Sequence, residues 1–330
     1  MIYSCAYPIY HTFIVDSLER IEYTVSVDGV DIYRGMLYPK NLKPLRIDLS
    51  TIFREYLSTN YEDKISDITG IEYTYEIKEF EVSEDGVADS TKYKVKYDYN
   101  LDYISELPNT DCLAEPIVKD VDINQHLFMS GYSIDSTYGY IYSVNGLDVV
   151  KKNLSPSNKI SMLNLNLKDL SIKPGDRLNI KFHSNGKILN DFNYRVINPC
   201  NNRYVLHYVN TKGGLDGMLC SGKAELKYGS KSTEVAINDS YLDRKQFSHL
   251  PISSKITKSY TLNTGILTDE RAALIYNVID SPKVWIEDIN EGTITACIIT
   301  ENNKTVKTYK NDKIVSYSIS LEESQKYIRK

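Results

Sequence analysis

Apolar and polar positions alternate with period two along most of the chain. In residues 20–38, "RIEYTVSVDGVDIYRGMLY", two such runs flank Asp28-Gly29, a dipeptide that favours a two-residue hairpin turn. Segments 71–82, "IEYTYEIKEFEV", and 91–101, "TKYKVKYDYNL", flank the turn-like "SEDGVADS". The second places Tyr93, Val95, Tyr97 and Tyr99 on one face and Lys94, Lys96 and Asp98 on the other, which predicts a half-buried strand. Between these hairpins the period changes. In "IDLSTIFREYLSTNY", Ile52, Phe53, Tyr56 and Leu57 recur at helical spacing, and Asp48 or Ser50 can cap the first turn. The pattern predicts a short helix over about 48–58 plugging a small β-sandwich. "ELPNTDC" then reads as a linker, with a boundary near residue 108.

Alternation resumes in "GYSIDSTYGYIYSVNGLDVV", where Tyr138, Tyr140 and Tyr142 share a face, and in "ISMLNLNLKDLSI", around Met162, Leu163 or Leu165, and Leu167. A Pro-Gly turn and a Ser-Asn-Gly hairpin turn follow, each beside a strand-like run. "VINPCNN" marks the next boundary. Beyond it, "GILTDERAALIYNVIDSP" predicts a helix over about 268–280. Thr268 caps it, Ala272, Ile275, Tyr276 and Ile279 form its apolar stripe, and Ser281-Pro282 ends it. Ser320 and Glu323 suggest a capping box for a second helix over about 321–329. "KVWIEDI", "TITACIIT" and "IVSYSIS" read as strands between the two. The expected fold is therefore mainly β, with two to three tandem β-sandwich-type domains and a few short helices. Residues 1–108 form a sandwich with a helix, 109–198 a second sandwich and 199–330 a mixed α+β domain. No period of 20–50 residues signals a solenoid or propeller.

Composition narrows the function classes. Hydrophobic residues make up 42% and charged residues 25%, which excludes an intrinsically disordered chain. The net charge of -5 lacks the basic excess of a general nucleic-acid binder. The start, "MIYSCAYPIYHTFIVD", has no basic region followed by a continuous apolar one, so no signal peptide is expected. No apolar stretch approaches the 18 residues of a membrane-spanning helix. Cys5, Cys112, Cys200, Cys220 and Cys297 are odd in number and scattered, which fits small buried hydrophobes rather than a disulfide framework or a zinc site. Tyrosine is over-used: there are 28, against 7 Phe and 1 Trp. Codon bias of a low-GC genome and enrichment at half-buried interfaces both produce that pattern.

Candidate chemistry is sparse. Residues 217–224, "GMLCSGKA", fall one residue short of a phosphate-binding loop. Ala224 stands where a hydroxyl must hold Mg²⁺, and the following "AELKYGSKSTEVAI" alternates like a strand where a helix is required. "DVDINQ" places Asp120, Asp122 and Asn124 at calcium-loop positions, but Gln125 replaces the glycine and Gly131 the final glutamate. His11, His126, His183, His207 and His249 form no metal-binding pair and read as surface or interface residues. Gly131-Tyr-Ser133 lacks the second glycine of a nucleophile elbow. Neighbouring acids such as Glu287 and Asp288 do not by themselves make a glycosidase pair.

Three stretches carry a family likeness: "YRGMLYPKNLKPLRIDLSTIFREYL", "CNNRYVLHYVNTKGGLDGMLCSGK" and "LNTGILTDERAALIYNVIDSPKVWIEDI". Together they resemble virion proteins of bacteriophages that infect Bacteroidetes, including the crAss-like phages. Related proteins tend to read aromatic-x-Asn-x-x-Gly-Gly-Trp-Asp in the second stretch, and Leu215 stands here in place of that Trp. The resemblance implies a non-enzymatic tail hub, collar or ring protein with no cofactor and no metal. It would be assembled in the bacterial host cytoplasm into the virion tail as a homo-oligomeric ring. Its implied partners are its own copies and other tail or neck proteins, such as a portal-proximal ring or tail tube and muzzle proteins. Membranes play no part, and DNA is only passing cargo. Tyr138, Tyr140, Tyr142 and Trp285 are then candidate interface residues. Gly213, Gly214 and Gly217 are candidate turn or close-packing positions. A carbohydrate-binding β-sandwich protein, on a phage or a bacterial surface, is the alternative that Tyr-rich sandwiches also suit.

Overall fold

A computed structural model of the chain describes residues 2–5, 7–15, 18–62, 75–85, 87, 89–96, 106–134, 136–156, 159–198, 203–236, 249–300, 316–324 and 327–329. Tyr97, Tyr99 and Cys200 lie outside them. The fold is mostly β, with several sheets and few helices.

The first module holds β1 (Ile2–Ser4), β2 (Tyr10–Phe13), β3 (Ile21–Val27), β4 (Val30–Leu37), β5 (Leu45–Asp48), α1 (Ser50–Glu62), β6 (Tyr75–Glu76), β7 (Lys78–Glu84), β8 (Thr91–Lys96) and β9 (Glu106–Leu107). Six strands form a sheet in the order β4-β3-β7-β8-β1-β9. Its inner face is covered by the β2–β5 ribbon and α1, a sandwich-like arrangement with a helix in the second layer. Phe53 and Leu57 of α1 are buried against Phe80, Val25 and Val95. The Asp48 carboxylate accepts from the Ser50 backbone amide at 2.9 Å, closing the helix start. Asp28 and Gly29 both take positive φ, 52° and 78°, as the tight β3–β4 turn requires.

The second module contains β10 (Thr110–Cys112), β11 (Lys119–Asp122), β12 (His126–Ser133), β13 (Tyr138–Val144), β14 (Leu147–Leu154), β15 (Lys159–Asn166), β16 (Arg177–Ser184) and β17 (Lys187–Ile197). Sheet β10-β12-β15-β6 faces sheet β11-β17-β16-β13-β14 across a core of Leu127, Met129, Leu163, Tyr138, Tyr140, Phe182 and Tyr194. One element crosses the expected boundary: β6, expected in the first module, pairs with β15 at Lys159 and Ile160. The third module contains β18 (Tyr204–Val209), β19 (Leu215–Cys220), β20 (Ala224–Ala236), β21 (His249–Asn263), α2 (Asp269–Ile279), β22 (Val284–Asp288), β23 (Thr293–Ile299), β24 (Ser318–Glu323) and β25 (Tyr327–Arg329). Its sheet runs β19-β18-β22-β23-β24-β21-β20, with β25 paired to β21. α2 covers one face through Ile275 and Val278.

Three sequence expectations need correcting here. The helix over 321–329 is absent: β24 and β25 occupy that stretch. Ile319, Leu321 and Glu323 alternate inward, and Tyr327–Arg329 pair with Ser254–Ile256. Pairing with the long β21 outweighs a local capping signal. Tyr276 of α2 is exposed, because the helix buries the side carrying Leu274, Ile275 and Val278. On β8, Lys96 is buried, because the other modules cover its outer side. It donates to the Lys212 carbonyl at 2.6 Å and lies over the Tyr132 ring.

Tyr138, Tyr140 and Tyr142 point into the sandwich core and are all buried, so they offer no face to another copy. Tyr138 donates its hydroxyl to Ser161 at 2.9 Å, but the Tyr140 hydroxyl has no partner among the described residues. Burial pushes the Tyr140 phenol well above its ordinary value. An unsatisfied buried hydroxyl costs about 1–3 kcal/mol. Tyr140→Phe is therefore expected to leave the fold intact and raise its stability by about 1 kcal/mol, read from the denaturant midpoint.

Candidate functional site

The second and third modules meet along one face of β12. This strand is buried on both sides: Leu127 and Met129 face the sandwich core, while Phe128 packs with Met162, Val209, Leu215 and Trp285. Trp285 is thus a contact residue between modules of one chain, and its burial removes it as a surface for another subunit. Leu215 lies in the same cluster.

The segment from Tyr208 to Asp216 makes the corner of this junction. The Asn210 side chain donates to the Leu113 carbonyl at 2.6 Å and accepts from the Lys212 and Gly214 amides, both at 3.0 Å. Gly213 has φ 78°, the left-handed region that glycine enters freely. A Cβ on Gly214 would lie 2.6 Å from the Leu113 Cβ and 2.8 Å from its carbonyl oxygen. A Cβ on Gly217 would meet the His207 ring at 3.2 Å. Gly214→Ala must displace backbone and should cost about 1–3 kcal/mol, whereas Gly217→Ala asks a ring to yield slightly and should cost less. Urea titration of the two variants checks the order.

Buried charge pairs complete the junction. The Lys119 ammonium bonds Asp216, with both side chains almost fully buried, and the other Asp216 oxygen accepts from the Glu115 amide at 3.1 Å. Arg203 pairs with buried Asp122. Asp120 accepts from Arg195 at 2.7 and 2.9 Å and also binds Arg271 of α2. Burial alone would raise the Asp120 carboxyl, but the two guanidiniums bring it below its ordinary value.

Deeper in, buried Glu287 of β22 bridges two histidines. One of its oxygens lies 2.7 Å from His126 Nδ1, and the other lies 2.8 Å from His207 Nε2. The His126 backbone amide adds bonds of 3.1 and 3.3 Å. Burial pushes the Glu287 carboxyl up, yet the bonds from His126 and His207 outweigh it and hold the group at about 2. The bond to Glu287 in turn raises His126 above 6.5. His11, His183 and His207 are buried rather than at the surface, and His126 is half-buried in the junction; the His249 side chain lies outside the description.

The chemical candidates resolve differently. After Cys220 the chain turns through Ser221–Lys223 directly into strand β20, so "GMLCSGKA" opens no helix to face a phosphate. Asp120 and Asp122, the acids of the calcium-like stretch, are engaged by arginines. Among the described residues no group of three His, Cys, Asp or Glu side chains is arranged to hold a metal ion. Cys5, Cys112, Cys220 and Cys297 are buried free thiols, and burial pushes Cys112, Cys220 and Cys297 up to about 12. A cavity between β11, β19 and α2 holds about 30 Å³, the room of one water molecule. No helix among the described residues is long and apolar enough to cross a membrane.

Two surface features stand out instead. β20 is the outermost strand of its sheet, and its residues 225–234 are all exposed. Thirteen residues extend about 44 Å. Leu226 (42% exposed) and Tyr228 (69%) lie opposite Tyr260 and Lys258. Residues directly opposite share a face, and Tyr260 belongs to the third module's core, so the core-side face runs on uncovered along β20. Among the described residues, β24 and β25 pair with β21 over Ser259–Asn263 and Ser254–Ile256, and His249–Ser253 of β21 pair with β20 alone. The second feature is an open groove of about 890 Å³ at the β3 end of the first module. Ile14 (74%), Leu18, Tyr38 (71%) and Val87 line it, with Glu19, Glu22, Glu84, Asp85 and Arg20 around them.

A scan against protein-family models finds no match for the chain, and a search of curated proteins finds none either.

Proposed function

We propose that the chain is a structural, non-enzymatic subunit of a bacteriophage virion, a tail hub, collar or ring protein whose copies close a ring around the channel. The observation that carries this reading is the exposed β20 arm. A free sheet edge with uncovered apolar side chains is a site for pairing with another chain, and soluble monomers usually blunt or cover such edges. The welded junction suits the same role. Buried charge pairs and shared cores bind the modules into a body that transmits load without hinging. The resemblance in the three quoted stretches gives the virion and its tail as the setting. Neighbouring tail or neck proteins then stack on the ring, and DNA passes through it.

The carbohydrate-binding alternative is less well supported. The aromatics singled out in the sequence, Tyr138, Tyr140, Tyr142 and Trp285, are interior and cannot stack on a sugar. Immunogold labelling of purified phage particles tests the leading reading. Label confined to the tail or neck agrees with it; particles that carry no copy of the chain refute it.

A further inference from the structure

The lysine–carboxylate pairs of this chain differ in burial. Among the described residues, those at Lys78, Lys92, Lys223 and Lys258 each keep one or both side chains in contact with solvent. Lys119 and Asp216 are both enclosed, at 5% and 3% side-chain exposure. They come from β11 and β19, edge strands of two different sheets that lie against each other at the junction. An ammonium carries three N–H donors, and Asp216 is the only acceptor of the Lys119 ammonium among the described residues. The buried cation is therefore under-satisfied, which is costly away from water. The carboxylate is held from two sides. Its Oδ1 accepts from Lys119 and from the Gly217 amide at 2.9 Å, and its Oδ2 accepts from the Glu115 amide at 3.1 Å. Burial pushes the phenols of Tyr194 and Tyr208 well above their ordinary value, and the Asp216 charge adds to the rise, so the carboxylate sits among buried aromatic groups. The cavity with room for one water is lined by Lys119 and Gly217, the two residues that contact Oδ1.

We propose that Lys119 and Asp216 condense in the folded chain to an isopeptide bond that joins the second module to the third. The ion pair assembles the junction first and is the precursor. One proton passes along the existing hydrogen bond from the ammonium to Oδ1, which discharges both groups. The amine lone pair then attacks Cγ, and the Glu115 amide stabilises the charge that develops on Oδ2. A second proton moves from the nitrogen to Oδ1, the Cγ–Oδ1 bond breaks, and one water leaves into the cavity beside it. The fold holds nucleophile and carboxyl in contact, so no activating group is needed to bring them together. The product matches the site better than the ion pair does. The amide carries no charge, keeps one N–H where the ammonium had three, and retains the Glu115 bond through Oδ2. It links positions 97 apart in the chain. The inference rests on this junction and not on the reading of the protein as a ring subunit.

Intact mass spectrometry of the purified full chain reads the bond directly, on freshly prepared protein and again after prolonged incubation. The expected mass falls to one water below that of the sequence. A tryptic digest should then contain a branched peptide that joins Lys119 to Asp216. Lys119→Arg keeps a cation in the pair but offers no amine to acylate, and its chain should hold the full mass at both times; circular dichroism reports its folding. On a denaturing gel the cross-linked wild type should migrate ahead of Lys119→Arg, because the bond closes a large loop. A wild type that holds the full mass at both times overturns the proposal. So does a lost water that fragmentation places elsewhere, as in a cyclised Asp28-Gly29 turn, and so does a Lys119→Arg chain that loses the same water. Each of these results is read from single chains, so a failure of the ring reading leaves them unchanged.

Discussion

Asp216→Ala is expected to lower stability by about 3–5 kcal/mol, because it strands the buried Lys119 ammonium without a partner. It also removes an acceptor from the Glu115 and Gly217 amides, at 3.1 and 2.9 Å. The loss should appear first as separation of the second and third modules, because Lys119 belongs to β11 and Asp216 to β19. Hydrogen exchange would then rise along β12, β18 and β19 before it rises within the first module. The double change Lys119→Met with Asp216→Leu fills the volume without charge. It should recover most of the loss, since a buried ion pair and a well-packed apolar pair are often close in free energy. If Asp216→Ala melts like the wild type, the junction does not depend on this pair.

Glu287 should make the same junction sensitive to acid. A carboxyl held at about 2, where its ordinary value is near 4.5, contributes about 3 kcal/mol at neutral pH, at roughly 1.4 kcal/mol per pKa unit. A lowered carboxyl stabilises above its unfolded value, and that contribution fades as pH falls from about 4.5 towards 2. His126 has the opposite sign. Its raised value stabilises below 6.5, and the gain is lost as pH climbs through the folded value above that. These two groups together favour the junction most between about pH 4.5 and 6.5. His11 and His183, held low by burial, oppose protonation elsewhere in the molecule. The clean measurement is therefore the stability difference between wild type and Glu287→Gln across pH. It should be largest inside that window and shrink below pH 4.5. A difference that stays flat down to pH 2 would show that the two histidines do not hold the carboxylate charged.

Local features of this fold were legible in the sequence. The Asp28-Gly29 turn and both ends of α2 follow from the chemistry of a few adjacent residues, and α1 follows from an apolar stripe at helical spacing. The missing C-terminal helix has a clear cause. Ser320 and Glu323 match a helix start locally, but Ser320 lies opposite Thr261, and only the partner strand reveals that. The tyrosine stripe of β13 was visible, but not the direction it faces. Alternation places Tyr138, Tyr140 and Tyr142 together without saying whether that side meets a core or a neighbour. The His126–Glu287–His207 cluster joins residues 161 and 80 positions apart, which no local pattern encodes. A faint signal existed in polar residues within otherwise apolar strands, His207 in "YVLHYV" and Glu287 in "VWIED". A charge in a strand buried on both faces calls for a buried partner. The arm was hidden for a related reason. "AELKYGSKSTEVA" reads as an ordinary half-buried strand, and only the strand order shows that, among the described residues, no neighbouring strand covers its outer edge.

The central claim is that this chain is a subunit that completes itself against its own copies. Cryo-electron microscopy of the purified full chain at high concentration tests it most directly. The account predicts closed rings in which the β20 edge of each copy is covered by a neighbouring copy. A homogeneous population of monomers, or a two-fold dimer that leaves the β20 hairpin in solvent, would contradict it.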